Sequence, residues 1–134
     1  MKSVPITLVN STSTTGSTYV LSHVAPYGQE AKQQYKDACV AINVATLTGT
    51  SPAIAFEVDE YIDGHWMEVG ITGSMTAAGA VFIDSAGGAI SSGNPTFSAT
   101  TNLRGLGKGV DTRVVVTFSG TVGTAVYTVD YIGY

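Results

Sequence analysis

Two stretches, VATLTGTSPAIAFEVD from Val44 to Asp59 and VVTFSGTVGTAVYTVD from Val115 to Asp130, align without a gap. The alignment sets Val44 on Val115, Thr46 on Thr117, Gly49 on Gly120, Thr50 on Thr121, Val58 on Val129 and Asp59 on Asp130. In each copy, β-branched and aromatic residues alternate on either side of a glycine-containing break, which is the pattern of strand, turn, strand. With Gly120 to Gly123 as a loop, the second copy pairs Phe118 with Ala125, Val116 with Tyr127, Val114 with Val129 and Arg113 with Asp130. One face is then apolar and the other ends in a pair of opposite charge, as a favourable register requires. The same rule pairs Leu47 with Ile54 and Ala45 with Phe56 in the first copy. Two related hairpins with one oily face each predict an all-β domain, a two-layer β-sandwich or jelly-roll-like fold.

The first copy runs into VDEYIDGHWMEV, Val58 to Val69, which gathers four acids, a histidine, a tyrosine and a tryptophan. Asp63-Gly64 is a strong hairpin signal, because a primed turn needs positive φ, open to glycine and tolerated by aspartate. That turn sets Tyr61 against Trp66, Glu60 against Met67, Asp59 against Glu68 and Val58 against Val69. The core face then takes Ile54, Phe56, Val58, Met67, Val69 and Ile71, joined by Val114, Val116, Phe118, Tyr127 and Val129 from the second copy. The opposite face carries Glu57, Asp59, Glu68, Tyr61 and Trp66, the candidate interaction surface. Asp59 and Glu68 directly opposed repel, so the face calls for a cation, a basic residue from elsewhere, or full hydration. Calcium takes six to eight oxygens, and three carboxylates on a flat sheet supply too few without loop carbonyls or water. A solvated or protein-paired acidic face is therefore expected, with no metal and no cofactor. Tyr61 and Trp66 suit a stabilising cross-strand contact, a sugar platform or a protein interface.

Outward from these elements, TGSMTAAGAVFIDSAGGAISSGNPTFSATTNLRGLGKGVD between the two copies predicts one or two short strands, one near Ala80 to Ile83, among exposed glycine-rich loops. GQEAKQQYKDA, Gly28 to Ala38, is the one helix-like segment, and its apolar spacing supports a turn or two. Asn10 to Thr18 has no hydrophobic period, so residues 1–18 read as a flexible arm or loop on a single domain spanning 1–134.

At 134 residues the chain can bury a core without staples. Its single cysteine, Cys39, stands in an apolar run and reads as a small buried hydrophobe. Six basic against ten acidic side chains give a net charge of -4, with the basic ones scattered, which argues against nucleic-acid binding. No stretch has the roughly 18 apolar residues of a membrane helix, and the start lacks the apolar core of a signal peptide, so a chain made and kept in the cytoplasm, away from membranes, is expected. Charged residues make up only 12%, about half the globular norm of roughly 25%, which suits a surface packed against other proteins. His23 and His65 could share a metal only if the fold brought them together. The chain has no Gly-x-Ser-x-Gly elbow, no His-Glu-x-x-His and no phosphate loop, and a glycosidase carboxylate pair would need a cleft. No enzyme is expected.

LTGTSPAIAFEVDEYIDGHWMEVG, followed by TRVVVTFSGTVGTAVYTVDYIG, resembles the small β-sandwich structural proteins of tailed bacteriophages and prophages. In those, a TGTSP-like turn, a DG-x-W hairpin and a final valine-rich hairpin recur. The likeness covers roughly Asp37 to Tyr134. It implies a virion component assembled from the host cytoplasm, a decoration or cement protein on the major capsid protein lattice, with a homo-oligomer or other virion proteins as partners. It implies no catalytic residues. A tail or head–tail connector component and a glycan-binding module with Tyr61 and Trp66 as platforms are the alternatives.

Overall fold

A computed structural model of the chain describes residues 6–13, 19–24, 37–84, 88–93, 105–106, 108–109 and 111–134. The strands are β1 (Ile6–Ser13), β2 (Tyr19–Val24), β3 (Ala38–Ile62), β4 (His65–Ile71), β5 (Gly79–Asp84), β6 (Gly88–Gly93) and β7 (Thr112–Gly133). They form one seven-stranded antiparallel sheet in the order β1-β7-β3-β5-β6, with β2 also on β7 and β4 also on β3. The chain is all-β, as its alternation and composition predict, and no α-helix occurs among the described residues. The helix-like Gly28 to Ala38 falls mostly outside them, and Ala38 itself opens β3.

The two expected hairpins are not formed. Each copy of the repeat lies within one long strand, β3 of 25 residues and β7 of 22, and the two copies pair with each other. Leu47 faces Ala125 and Ile54 faces Phe118, where hairpins would have set Leu47 on Ile54 and Phe118 on Ala125. Phe56 faces Val116, Val44 faces Tyr127, and Arg113 faces Asp59 in place of Asp130. The same apolar residues meet at the same levels with partners exchanged between copies, an approximate two-fold arrangement centred near Thr50 and Thr121. Side-chain alternation dictates which face a residue takes and leaves its partner strand open, and two similar copies satisfy either pairing.

The long ribbon doubles back. Phe118 and Tyr127 are nine positions apart on one strand, roughly 30 Å if it were straight, yet their ring centroids are 6.1 Å apart. Phe56 meets Tyr127 edge-on at 5.6 Å. The bend falls where Gly49, Ser51 and Gly120 have positive φ and the β3–β7 register shifts. Gly49 and Gly120, equivalent in the repeat, permit it because the strands touch there. A Cβ on Gly49 would lie 2.0 Å from the Thr121 carbonyl oxygen, and one on Gly120 2.0 Å from that of Ser51.

Folding at this line makes a sandwich-like body from one sheet. A four-stranded half (β2, the first part of β7, the second part of β3, β4) opposes a half made of β1, the rest of β7, the first part of β3, β5 and β6. Between them lie Val40, Ile42, Val44, Ile54, Phe56, Val58, Val69, Val81, Ile83, Val114, Val116, Phe118, Ala125, Tyr127 and Val129, all buried in one cluster. The strand expected near Ala80 to Ile83 is β5.

Two further expectations are corrected. Met67 is 49% exposed, because a bulge pairs Val58 with Gly70 and Asp59 with Glu68, making Val69 the extra residue. Ile71 then lies opposite Glu57 on the outer face. Met67 stands opposite Glu60, where the inner face has passed from valines to a buried polar pair, Thr112 Oγ1 donating to Glu60 Oε2 at 2.8 Å. Over Ile6–Ser13 the expected arm is strand β1, paired with β7 from Tyr131 to Ala125. Polar β-branched residues suffice there because main-chain bonding holds an edge strand, with no hydrophobic period needed. Residues 14–18 lie outside the described part.

Candidate functional site

The outer face of the four-stranded half is built by three neighbouring strands. Its register places Ile71, Glu68 and Trp66 of β4 opposite Glu57, Asp59 and Tyr61 of β3. Across the other edge of β3, Val115 faces Glu57 and Arg113 faces Asp59. Asp63 and Gly64 both have positive φ, which is the primed turn that Asp-Gly favours and which brings Trp66 back beside Tyr61. All five residues singled out in the sequence, Glu57, Asp59, Tyr61, Trp66 and Glu68, share this face.

Asp59 is its centre. The Arg113 guanidinium donates twice to Asp59 Oδ2, from Nε at 3.0 Å and from Nη2 at 2.5 Å. The aspartate side chain is 2% exposed and the arginine 26%, so the pair is largely withdrawn from water, where charge-assisted hydrogen bonds are strong. The same guanidinium lies 4.5 Å from the centroid of the Trp66 ring, and Trp66 packs on Tyr61 with centroids 5.0 Å apart and planes inclined by 56°. A chain of contacts thus runs from carboxylate to guanidinium to indole to phenol. The basic residue that the opposed Asp59 and Glu68 require is Arg113. The hairpin register had assigned it to Asp130, which instead faces Ala41 and Thr7.

Asp59 Oδ1 is buried with no hydrogen-bond donor, a state that costs on the order of 1–3 kcal/mol, more for a charged group. Beside it, the Glu57 carboxyl is pushed up from 4.5 to about 7. Burial contributes most, followed by its hydrogen-bonding contact with Asp59 and the charges of Asp59 and Glu68, while Arg113 opposes them. Near neutral pH Glu57 holds its proton much of the time and can donate it to Asp59.

Among the described residues, no group of three or more histidine, cysteine, aspartate or glutamate side chains is placed to hold a metal ion. His23 on β2 and His65 on β4 lie at opposite edges of the four-stranded half, at least roughly 14 Å apart across three strand spacings. Cys39 is buried, and its thiol is pushed up to about 11 by burial and then by Asp84, which makes it a poor nucleophile. No helix among the described residues is long and apolar enough to cross a membrane.

Segment 105–111, absent from the sequence-based site, closes one end of this face. Tyr61 N donates to the Asp111 carbonyl at 2.9 Å, and a Cβ on Gly109 would come within 2.7 Å of the Tyr61 carbonyl oxygen. No short motif marks this contact in the sequence.

No family model, no curated protein and no solved structure matches this chain.

Proposed function

We propose that this chain is a non-enzymatic structural protein of a tailed-phage virion, a capsid decoration protein that binds the major capsid protein lattice. The observation that carries it is the set of open sheet edges. Among the described residues, β1, β2, β4 and β6 each pair with one strand only, so each offers a second edge of main-chain donors and acceptors. A folded sheet with such edges is suited to strand addition by neighbouring subunits, in which backbone bonding supplies affinity and alternate side chains supply selectivity. Val20 on β2 and Met67 on β4, 58% and 49% exposed, put apolar contacts on two of these edges. The resemblance to small virion proteins and the low charge content of the chain point the same way.

The glycan-binding alternative rests on Trp66 and Tyr61. One face of the indole is taken by the Arg113 guanidinium, which removes a stacking surface that a sugar would use, so the aromatic pair has a structural role.

Co-sedimentation with purified tailed-phage capsids, beside a glycan array, tests the proposal. The expected result is saturable capsid attachment, lost in Val20→Lys and retained in Trp66→Ala, with no glycan bound. Glycan binding abolished by Trp66→Ala, together with no capsid attachment by the intact protein, would overturn it.

A further inference from the structure

We propose that the outer face of β3, β4 and β7 docks a basic side chain of a partner protein, whose ammonium or guanidinium group sits among Glu57, Asp59 and Glu68 in the place of a proton. The inference deepens the structural-protein proposal and rests on it for the partner being a protein.

Charge is the first argument. Three carboxylates from two strands share this face with one guanidinium, and both Arg113 hydrogen bonds to Asp59 go to Oδ2. The buried Oδ1 remains without a donor. The groups facing Glu57 are Asp59 on its own strand, Glu68 on β4 and Arg113 on β7, and its direct cross-strand neighbours, Ile71 and Val115, are apolar. Alone, the protein meets this deficit with a proton: the Glu57 carboxyl is raised to about 7 and its contact with Asp59 stabilises the protonated form. A basic side chain would supply the same missing N–H donor and, in addition, let Glu57 ionise.

The aromatic flank is the second argument. Trp66 already stacks on one guanidinium, and with Tyr61 it borders the carboxylates with π-faces that favour a further cation. A divalent metal lacks a ligand group among the described residues, and a neutral sugar would leave the charge deficit as it was.

The test uses the intact protein and its single tryptophan, Trp66, as reporter, in a His65→Gln background that removes the titration of the neighbouring imidazole. The probe is the blocked tripeptide acetyl-Gly-Arg-Gly-amide, with acetyl-Gly-Ala-Gly-amide as control. The arginine peptide is expected to give a saturable fluorescence change and the alanine peptide none. Because only the ionised carboxyl accepts the cation and Glu57 titrates at about 7, affinity at about pH 5.5 should be roughly thirty-fold weaker than at about pH 8. Glu57→Gln should weaken binding at the higher pH and remove the pH dependence, and Glu68→Gln should weaken binding with the pH dependence kept. The proposal is overturned by no saturable response, by affinity that does not vary with pH, or by calcium alone or a monosaccharide reproducing the response. Failure here with capsid attachment intact removes the docking inference and leaves the virion proposal standing, whereas loss of capsid attachment by the unaltered protein removes the latter.

Discussion

Arg113 holds three groups at once: it neutralises the buried Asp59, bonds its Oδ2 twice and covers the Trp66 ring. Truncation to alanine leaves a buried carboxylate without its cation. The expected cost is about 2–4 kcal/mol, the lower part of the range for breaking a buried pair, because the arginine is partly in water. Arg113→Lys should fall between, since an ammonium keeps the charge but loses the planar fork and the stack. Urea unfolding of both variants measures this, and a cost for alanine within about 0.5 kcal/mol would assign the pair no structural weight. Glu57 adds a pH signature. Its carboxyl is raised from 4.5 to about 7 in the folded protein, so between those values the native state binds a proton that the unfolded chain releases. The stabilisation is complete below the unfolded value and is lost as pH rises through about 7. Melting temperatures across this window should decline in the parent protein and decline less in Glu57→Gln; parallel curves would show that Glu57 is not the titrating group. At this scale the sequence showed much of the site, because opposed Asp59 and Glu68 demand a positive neighbour. It did not identify Arg113, which lies 54 positions from Asp59 and has an equally good acidic partner in Asp130 under a hairpin register.

Among the elements, the β3–β7 ribbon turns on a pair of repeat-related glycines. A side chain at Gly49 or Gly120 meets a carbonyl oxygen of the other strand at 2.0 Å, at φ of +142° and +69° respectively. Alanine at either site should cost about 3 kcal/mol or more, combining overpacking with backbone strain. Gly64 supplies the control: its φ is +82° but nothing lies within 4 Å of the added atom, so Gly64→Ala should cost only about 1–2 kcal/mol. Equal losses at all three sites would show that conformation alone matters and that the strands do not touch at the bend. The Asp-Gly turn was legible because its signal is local, two residues with a shared backbone demand. The bend was misassigned as two hairpin loops because glycine marks unusual backbone and does not say whether the chain reverses or crosses a neighbour. The bulge opposite Val58 and Asp59 had no signal, and with it went the inward place expected for Met67.

For the whole molecule, the question that alternation left open is which strand pairs with which, and a cross-link can decide it. In the folded ribbon Ala55 faces Thr117, both away from the core and neither fully buried. In paired hairpins Thr117 would face Val126 instead. Opposed residues on antiparallel strands have Cα atoms roughly 4.5–5.5 Å apart, within disulfide range. In a Cys39→Ser background, which removes the one native thiol, Ala55→Cys with Thr117→Cys should oxidise to an intrachain disulfide. Closing a loop of that length should raise stability by up to roughly 4 kcal/mol relative to the reduced form. Thr117→Cys with Val126→Cys should stay reduced, since those positions lie on one strand on either side of its bend. The reverse outcome would restore two hairpins and dissolve the single sheet. Nine of the ten core positions expected from the sequence are buried, and they would be buried under either pairing, so the core itself cannot choose. The outer face can: the Asp59–Arg113 bond exists only where the two copies exchange partners. Formation of the Ala55–Thr117 cross-link, with weaker stabilisation when Arg113 is also replaced, would tie the topology of the sheet to the charge pair on its surface.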